Sequence, residues 1–590
     1  MDWPVGQTMT RISRAFIGIA VAAILLITWL LYVRQPPRPE APIEGSSAAP
    51  TRGGQLTVSF RTEPRSFNRY IANDAASELV ARLTQDRLVR INRVTGEVEP
   101  RLAESWTEDA EGRSYTVKLR SGVRFSDGAP LTSADVLFSF EAAYRAEGSR
   151  LAGDLKVGGQ PLAVSATDDL TVAIRFPSTF APGLRILDSL PILPRHKLGT
   201  ALAEGRFHEA WNSKTAPSEL AGLGPFVLTE YAPGQRLVFA RNPNFRVKDA
   251  SGTQLPYLDR LLVEIVPDQN AEVLRLQAGQ TDLTTSEVRP EDIAALRRDG
   301  QAGRVQLLEV GVGLNINALW FNLRPEAKAK DPRRAWLQSE ALRKAISHAI
   351  DRDRFVNTVY LGAAAAIYGP VSPGNRLWYA ADAPTYPHDL ARARALLAQL
   401  GLADSDGDGM LEDAAGAPVR FAILTQQGQT LRERGAAVIQ EQLRQIGITA
   451  DIVKLDPPSL GKRFGEGDYD AMFFGFEVTD FEPAANLQFW LSSGDFHLWH
   501  PNQPKPATAW EARIDELIAR QVTAMDLGER QRLFSEAQRV FGAHAPALYF
   551  AAPKIFVAMS PRVAGATPAV LNPQVLWNAE ILAVRQPVAR

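Results

Sequence analysis

Apolar and polar residues alternate with period two in several short stretches of the chain. The run Tyr115–Leu119 places apolar residues at every second position, and the same alternation recurs at 56–60 and at 171–174. Because successive side chains of a β-strand point to opposite faces, each run predicts a strand with one buried face. After a Ser-Gly turn, Val123 and Phe125 alternate again and predict a short return strand.

Other stretches follow the helical period. Apolar residues recur at i, i+3, i+4, i+7 and i+8 within 342–350, and a second apolar stripe covers 390–400. A helix predicted for 430–446 lies between strand-like runs at 419–423 and 448–452. This strand–helix–strand order predicts a parallel pair of strands with a right-handed crossover, and therefore a mixed α/β protein.

The N-terminal region carries a long apolar stretch. Residues 15–33 contain no charge, and as a helix they cross most of a hydrocarbon layer about 30 Å thick. Arg11 and Arg14 precede the run and favour a cytoplasmic N-terminus. We predict an uncleaved signal anchor, a transmembrane helix within residues 1–34, followed by a Pro/Ala/Ser-rich linker at 35–52. A cleaved signal peptide is the alternative, and in both cases the rest of the chain is exported.

Composition narrows the range of functions. At 590 residues the chain is too long for one hydrophobic core and should divide into several domains. A formal net charge of −1 gives no long-range attraction to nucleic acid, so we expect no nucleic-acid partner. Cysteine is absent, which excludes a disulfide, a thiol nucleophile and a cysteine-based metal site.

The stretch from Glu99 to Ser139 carries a family resemblance. Its segments LAESW and YTVKLRSGVRFSDGAPLTSADV, in this order and spacing, resemble the signature of the bacterial extracellular solute-binding proteins of family 5, the oligopeptide- and dipeptide-binding group. Further segments resemble the family from Gly53 to about Met559. The signature identifies a fold and a family but marks no chemistry.

The resemblance implies the architecture of a periplasmic binding protein. Two α/β lobes are joined by a hinge of two crossing segments, an extra domain sits on the first lobe, and the ligand is buried as the lobes close. The domain boundaries we predict are: lobe I at 53–75, 195–313 and 550–590; the extra domain at 76–194; lobe II at 314–549.

The implied function is the extracytoplasmic solute-binding component of an ABC importer that captures short peptides. Its partners would be the permease subunits and the cytoplasmic membrane that holds its N-terminal helix, and we expect a monomer. The same fold binding an oligosaccharide or a nickel chelate is one alternative, and a surface-anchored sensor or scaffold without a transporter is another. We expect no cofactor and no enzyme activity. The sequence lacks the nucleophile-elbow motif Gly-x-Ser-x-Gly, the motif His-Glu-x-x-His and the phosphate-binding motif Gly-x-x-x-x-Gly-Lys.

The segment Tyr469–Trp490 is the best candidate for ligand contact. In peptide-binding relatives an Asp just after the corresponding strand pairs with the α-amino group of the ligand, and Asp480 matches that place. Phe476 and Trp499 are candidate apolar walls of a pocket. The alternatives are a capping or surface role for Asp480 and a core role for the two aromatic residues. Gly-Phe replaces the Gly-Trp that is common in relatives, which weakens the inference of peptide specificity.

Two further motifs resemble metal sites. One segment resembles the first half of a calcium-binding EF-hand loop, with carboxylates at Asp404, Asp406 and Asp408. Its twelfth position, where a bidentate Glu is required, is Ala415, so a solvated turn is the alternative. His497 and His500 are three residues apart, but further ligands are not evident and a loop is the expected structure. We therefore assign no metal site.

Overall fold

The computed structural model describes residues 52–326 and 331–585. The predicted signal anchor at 1–34 and nearly all of the predicted linker at 35–52 lie outside these residues. Within the two described ranges, no helix is both long enough and apolar enough to cross a membrane.

The largest sheet has eight strands, and seven of them lie within the residues predicted as lobe I; lobe I, lobe II and extra domain are used below as names for the predicted ranges. In spatial order its strands are β10 (Phe226–Ala232), β11 (Arg236–Arg241), β12 (Arg260–Ile265), β1 (Gln55–Phe60), β13 (Leu283–Thr284), β21 (Ala551–Met559) and β14 (Gln306–Val312), with β16 (Ala364–Ala366) beside β21. Strand β1 runs parallel to both β12 and β13, so the carboxyl ends of these three strands meet at one edge. Strands β10 and β11 form the antiparallel hairpin around Gly234, which has a φ of 71°.

The second sheet has five strands and forms the core of lobe II. In spatial order its strands are β18 (Thr449–Leu455), β17 (Arg420–Gln426), β19 (Ala471–Gly475), β15 (Asn317–Phe321) and β20 (Ala547–Tyr549). Strands β17 and β18 are parallel, as the strand–helix–strand pattern predicts. Alternation along β15 places Leu319 in the core on one face of this sheet and Trp320 in the core on the other.

The extra domain contains a four-stranded antiparallel sheet. Its strands, in spatial order, are β4 (Ala103–Glu108), β5 (Ser114–Leu119), β9 (Thr171–Arg175) and β8 (Ala163–Asp168). The remaining strands form three small antiparallel pairs. Two pairs lie in the extra domain, β2 (Val89–Ile91) with β3 (Val98–Pro100) and β6 (Lys156–Val157) with β7 (Gln160–Pro161), and the third pair, β22 (Val563–Ala564) with β23 (Ala583–Val584), lies near the C-terminus. The predicted strand at 115–119 is confirmed. The predicted return strand at Val123 and Phe125 is wrong, because this segment forms only an isolated bridge between Arg124 and Pro130.

The helices pack on the faces of these sheets. They are α1 (Ala75–Thr84), α2 (Ser133–Arg145), α3 (Arg195–Ala203), α4 (Gln269–Gln277), α5 (Pro290–Gln301), α6 (Arg334–Leu337), α7 (Glu340–Ala349), α8 (Arg352–Tyr360), α9 (Leu390–Gln399), α10 (Thr430–Arg444), α11 (Pro457–Glu466), α12 (Leu487–Trp490), α13 (Ala509–Thr523) and α14 (Leu527–His544), with short 3₁₀ segments at Gly183–Ser189, Phe207–Glu209, Pro217–Glu219, Pro483–Asn486 and Ala579–Ile581. Helix α2 begins with a capping box, in which the side chains of Thr132 and Asp135 each accept a hydrogen bond from the backbone N–H of the other residue.

Two neighbouring connections lead directly from a strand of one large sheet to a strand of the other. The first crossing connects β14 to β15, and the second, at Phe550, connects β20 to β21. The two segments are hydrogen-bonded to each other, because the Gly313 amide donates to the Pro553 carbonyl at 2.7 Å. In two-lobed proteins, a few residues at connections of this kind absorb the rotation of one lobe against the other.

Candidate functional site

An apolar cavity of about 60 Å³ lies in lobe II beside strands β15 and β19. Every second residue from Leu314 to Ala318 lines it, as the alternation of an extended segment requires. Gly475, at the end of β19, also lines it, and a Cβ atom on this residue would lie 2.3 Å from the Ile316 carbonyl oxygen. The close approach of the two segments therefore requires glycine at this position.

Few polar groups face this cavity, and one of them is incompletely satisfied. Asn375 is 7% exposed, and its amide nitrogen donates to the Phe481 carbonyl at 2.7 Å. Its amide oxygen is buried and has no hydrogen-bond partner among the described residues. An unsatisfied buried acceptor is costly, and a ligand N–H or O–H would satisfy it. Sequence patterns gave no signal for Asn375, which lies in an irregular loop.

Phe476 is the predicted site residue that lies on the cavity wall. Its ring packs against Phe489, with the ring centroids 5.6 Å apart, and against the exposed Phe496, at 6.0 Å. The side chain is half-buried, so part of its surface is available for contact. The ring could therefore pack against an apolar group of a solute.

Trp499 lies behind this wall and does not line the cavity. Its side chain is 1% exposed, and its ring packs edge to face against Phe489. The indole N–H donates to the Glu511 carboxylate at 3.1 Å. In this arrangement Trp499 supports the wall from the core.

His497 and His500 do not converge on a common point. Both ring nitrogens of the buried His497 are engaged, one with the Phe489 carbonyl at 3.0 Å and the other with the Glu511 carboxylate at 3.3 Å. Glu511 also accepts a hydrogen bond from Gln503 at 2.8 Å. His497 therefore belongs to a hydrogen-bonded core around Glu511, and both histidines lie in a loop as expected.

The acidic loop of lobe II departs from the EF-hand arrangement. Carboxylate oxygens of Asp404, Asp406 and Glu412 lie within 4.8 Å of one another. The third member is thus Glu412, whereas Asp408 accepts a hydrogen bond from the Met410 amide at 2.7 Å. Asp404 likewise accepts from the Gly407 and Gly409 amides of its own loop. These carboxylates stabilise the turn.

Asp480 is engaged by an arginine of the extra domain. Arg185, in the 3₁₀ segment Gly183–Ser189, donates to both carboxylate oxygens of Asp480 at 2.5 and 2.6 Å. Burial alone would lower the pKa of Arg185, but the hydrogen bonds and charge of Asp480 raise it above its ordinary value. Arg93 of the extra domain donates to the neighbouring Thr479 carbonyl at 3.1 Å. The segment after β19 therefore lies at a contact between lobe II and the extra domain.

Lobe II also approaches lobe I, and a carboxylate of each lobe lies near the other there. Glu287 of lobe I accepts a hydrogen bond from Gln574 at 2.7 Å, and Glu477 of lobe II accepts one from Asn572 at 2.6 Å. Desolvation by the surrounding protein and the negative charge of Glu477 raise the pKa of Glu287, although its side chain is exposed. The loop that contains Asn572 and Gln574 therefore binds both carboxylates.

Two large sheets joined by a pair of neighbouring connections, with a cavity beside β15 and β19, are the arrangement expected of a two-lobed binding protein. Comparison with known sequences agrees: the profile of the bacterial extracellular solute-binding proteins, family 5 (middle part), matches residues 97–497. The chain belongs to this family. Its fold is the mixed α/β fold of periplasmic binding proteins, and it is an extracytoplasmic solute-binding protein of a family that binds substrates and does not transform them.

Characterised relatives extend along most of the chain. The oligopeptide-binding protein AppA of Bacillus subtilis is 27% identical over 517 residues, which cover 84% of this chain and 85% of AppA. The di/tripeptide-binding protein 2 of Pseudomonas aeruginosa is 29% identical over 489 residues, which cover 79% of this chain and 84% of the relative. The structure of Bacillus subtilis AppA in complex with a nonapeptide superposes with a TM-score of 0.69 at 26% identity, covering 91% of this chain and all of AppA.

Proposed function

We propose that this protein captures short peptides outside the cytoplasm and delivers them to the permease subunits of an ABC importer. The observation that carries the proposal is the family fold itself, with an apolar cavity beside the contact of two hinged lobes. Two peptide-binding relatives that align along most of the chain support the class of ligand. No bond is made or broken; the ligand acts through its higher affinity for the closed arrangement of the lobes.

The ligand contacts we propose centre on the cavity in lobe II. Phe476 offers an apolar surface to a ligand side chain, and the amide oxygen of Asn375 accepts one hydrogen bond from the ligand. Trp499 contributes from behind, by fixing the ring of Phe489. The family resemblance implies that Asp480 pairs with the α-amino group of the ligand, but in this protein the Arg185 guanidinium is paired with that carboxylate.

Titration of the purified protein, from residue 53 onward, with a peptide library tests this function. We expect saturable binding of peptides that contain an apolar side chain, measured by calorimetry. Binding of oligosaccharides or a nickel chelate in place of peptides would contradict the proposed class of ligand but not the fold. Binding of no solute would favour a sensor or scaffold that acts through a protein partner.

Replacing Phe476 with alanine should weaken peptide binding about tenfold or more, because the ligand loses an apolar surface that it buries. The matched control is Phe496→Ala, since the Phe496 ring touches Phe476 but is 52% exposed and does not line the cavity. Calorimetric titration of both variants with the same peptide measures the effect. Equal affinities of the two variants would mean that Phe476 does not contact the ligand.

We also propose that the N-terminal apolar stretch tethers the protein to the cytoplasmic membrane and that the exported part is a monomer. The sequence of residues 15–33, without a charge, supports the tether. Fractionation of the producing cells, with the intact mass of the protein in each fraction, tests it. A chain that lacks the first residues and remains in the soluble extracytoplasmic fraction would contradict the tether, and light scattering measures the oligomeric state.

A further inference from the structure

The ion pair between Arg185 and Asp480 joins the extra domain to lobe II. Both members are largely buried, with side chains 13% and 9% exposed. The contact is bidentate, because Nε and a terminal nitrogen of Arg185 each donate to a different carboxylate oxygen. Planar, bidentate pairs of this kind are the strongest and most specific contacts between a guanidinium and a carboxylate.

Arg185 is held in this position by its own domain. Its other terminal nitrogen donates to the Gly96 carbonyl at 2.6 Å. One turn further along the same 3₁₀ segment, the buried Asp188 accepts a hydrogen bond from the Ile91 amide at 3.0 Å and fixes the segment against β2. The guanidinium is therefore pre-positioned, and little side-chain entropy is lost when it meets Asp480.

The pairing already supplies the carboxylate with one cation. Both oxygens of Asp480 accept hydrogen bonds from Arg185, and one of them also lies 3.4 Å from the Glu482 amide. A ligand ammonium would have to displace the guanidinium and would then lie beside its positive charge. Repulsion of this kind is a recognised way to exclude one class of ligand.

We propose that Arg185 substitutes for a ligand ammonium at Asp480, so that the protein's own ion pair bridges the lobes without ligand and a free peptide amine is not recognised at this carboxylate. The exclusion of the peptide amine rests on the proposed function, whereas the bridge between the lobes does not. Arg185 thereby becomes a specificity-determining residue of the cleft.

Distance measurements on the ligand-free protein test the bridge. Because the chain has no cysteine, Lys118→Cys on the extra domain and Lys462→Cys on lobe II give two defined labelling sites, whose native side chains are 63% and 74% exposed. We expect the distance distribution between the labels to shift to longer values in Arg185→Gln. The double variant Arg185→Gln/Asp480→Asn should show the same shift, because neither member of the pair is then left charged and unpaired. A distribution that matches the unsubstituted protein in both variants would overturn the bridge.

Paired peptides test the exclusion of the amine. For one peptide with a free and with an acetylated N-terminus, the ratio of the two dissociation constants gives the preference for the amine. We expect Arg185→Gln to raise this preference at least tenfold over the unsubstituted protein, and Asp480→Asn alone to leave it unchanged. In Arg185→Gln/Asp480→Asn the gain should disappear. An unchanged preference in Arg185→Gln, or its loss in Asp480→Asn, would overturn the exclusion.

The two experiments separate this inference from the proposed function. If no peptide binds any variant, the proposed function fails and the exclusion of a peptide amine fails with it. The ligand-free distances still decide whether Arg185 and Asp480 bridge the lobes.

Discussion

Replacing Asp188 with alanine is expected to lower the free energy of unfolding by about 3–5 kcal/mol, because it removes the carboxylate paired with the buried Arg93 and one of the two carboxylates paired with Arg82. The carboxylate accepts from Arg93 at 2.6 Å, from Arg82 at 3.1 Å and from the Ile91 amide at 3.0 Å. Burial alone would raise the pKa of Asp188, but the surrounding arginines hold it well below its ordinary value. The carboxylate is therefore charged in the folded protein at neutral pH.

Denaturation by urea measures this loss, and Asp169→Ala is the matched control. Asp169 lies in the same domain but is exposed, so its replacement should change the unfolding midpoint little. Asp188→Ala should also release Arg93, whose other contact is the Thr479 carbonyl of lobe II. Equal stabilities of the two variants would mean that the arginines find other partners.

The second large effect is expected at Glu511, the buried carboxylate beneath the cavity wall. It accepts hydrogen bonds from Trp499, His497, Gln503 and Thr508. Glu511→Gln places an amide N–H₂ among these donors and should cost about 2–4 kcal/mol, since at least one buried donor loses its acceptor. Because Trp499 supports Phe489 on the cavity wall, the variant should also bind peptide more weakly.

The pH dependence of this effect has a definite sign. Burial would raise the pKa of Glu511, but its hydrogen bonds lower it to about 2, below the ordinary value of 4.5. The stabilisation is therefore complete above about pH 4.5 and is lost as the pH falls toward 2. The difference in free energy of unfolding between the native protein and Glu511→Gln should shrink over this range.

A matched control for this series is Glu516→Gln. Glu516 lies on the same helix, α13, but its side chain is 52% exposed and pairs with Arg513 at the surface. Its replacement should leave the unfolding free energy almost unchanged at every pH. A difference for Glu511→Gln that stays constant from pH 7 to 2 would contradict the account.

Local patterns predicted the elements of the fold well where one periodicity dominates. The parallel pair β17 and β18 and the helix between them follow from alternation and a helical stripe. The run Ala547–Met559 reads as one strand, but the structure divides it at Phe550 into strands of two different sheets. A sequence pattern shows that a strand is buried, but it does not show in which sheet.

The candidate site was less predictable, because its contacts join distant parts of the chain. Phe476 was evident as an apolar residue after a buried strand. The partner of Asp480 was not, since Arg185 lies 295 residues away in a short 3₁₀ segment with no motif. Trp499 was predicted as a wall of the pocket. In the structure it lies in the core, where its indole N–H donates a hydrogen bond to Glu511. Long-range partners of polar groups depend on the tertiary structure.

Native mass spectrometry of the protein purified gently from its own host tests the central claim most directly. Solute-binding proteins that close over a ligand retain it when dissociation is slow. The account predicts a mass excess that fragments into amino acids and that decreases in Phe476→Ala relative to Phe496→Ala. An excess that yields hexoses or a metal chelate would contradict the peptide ligand.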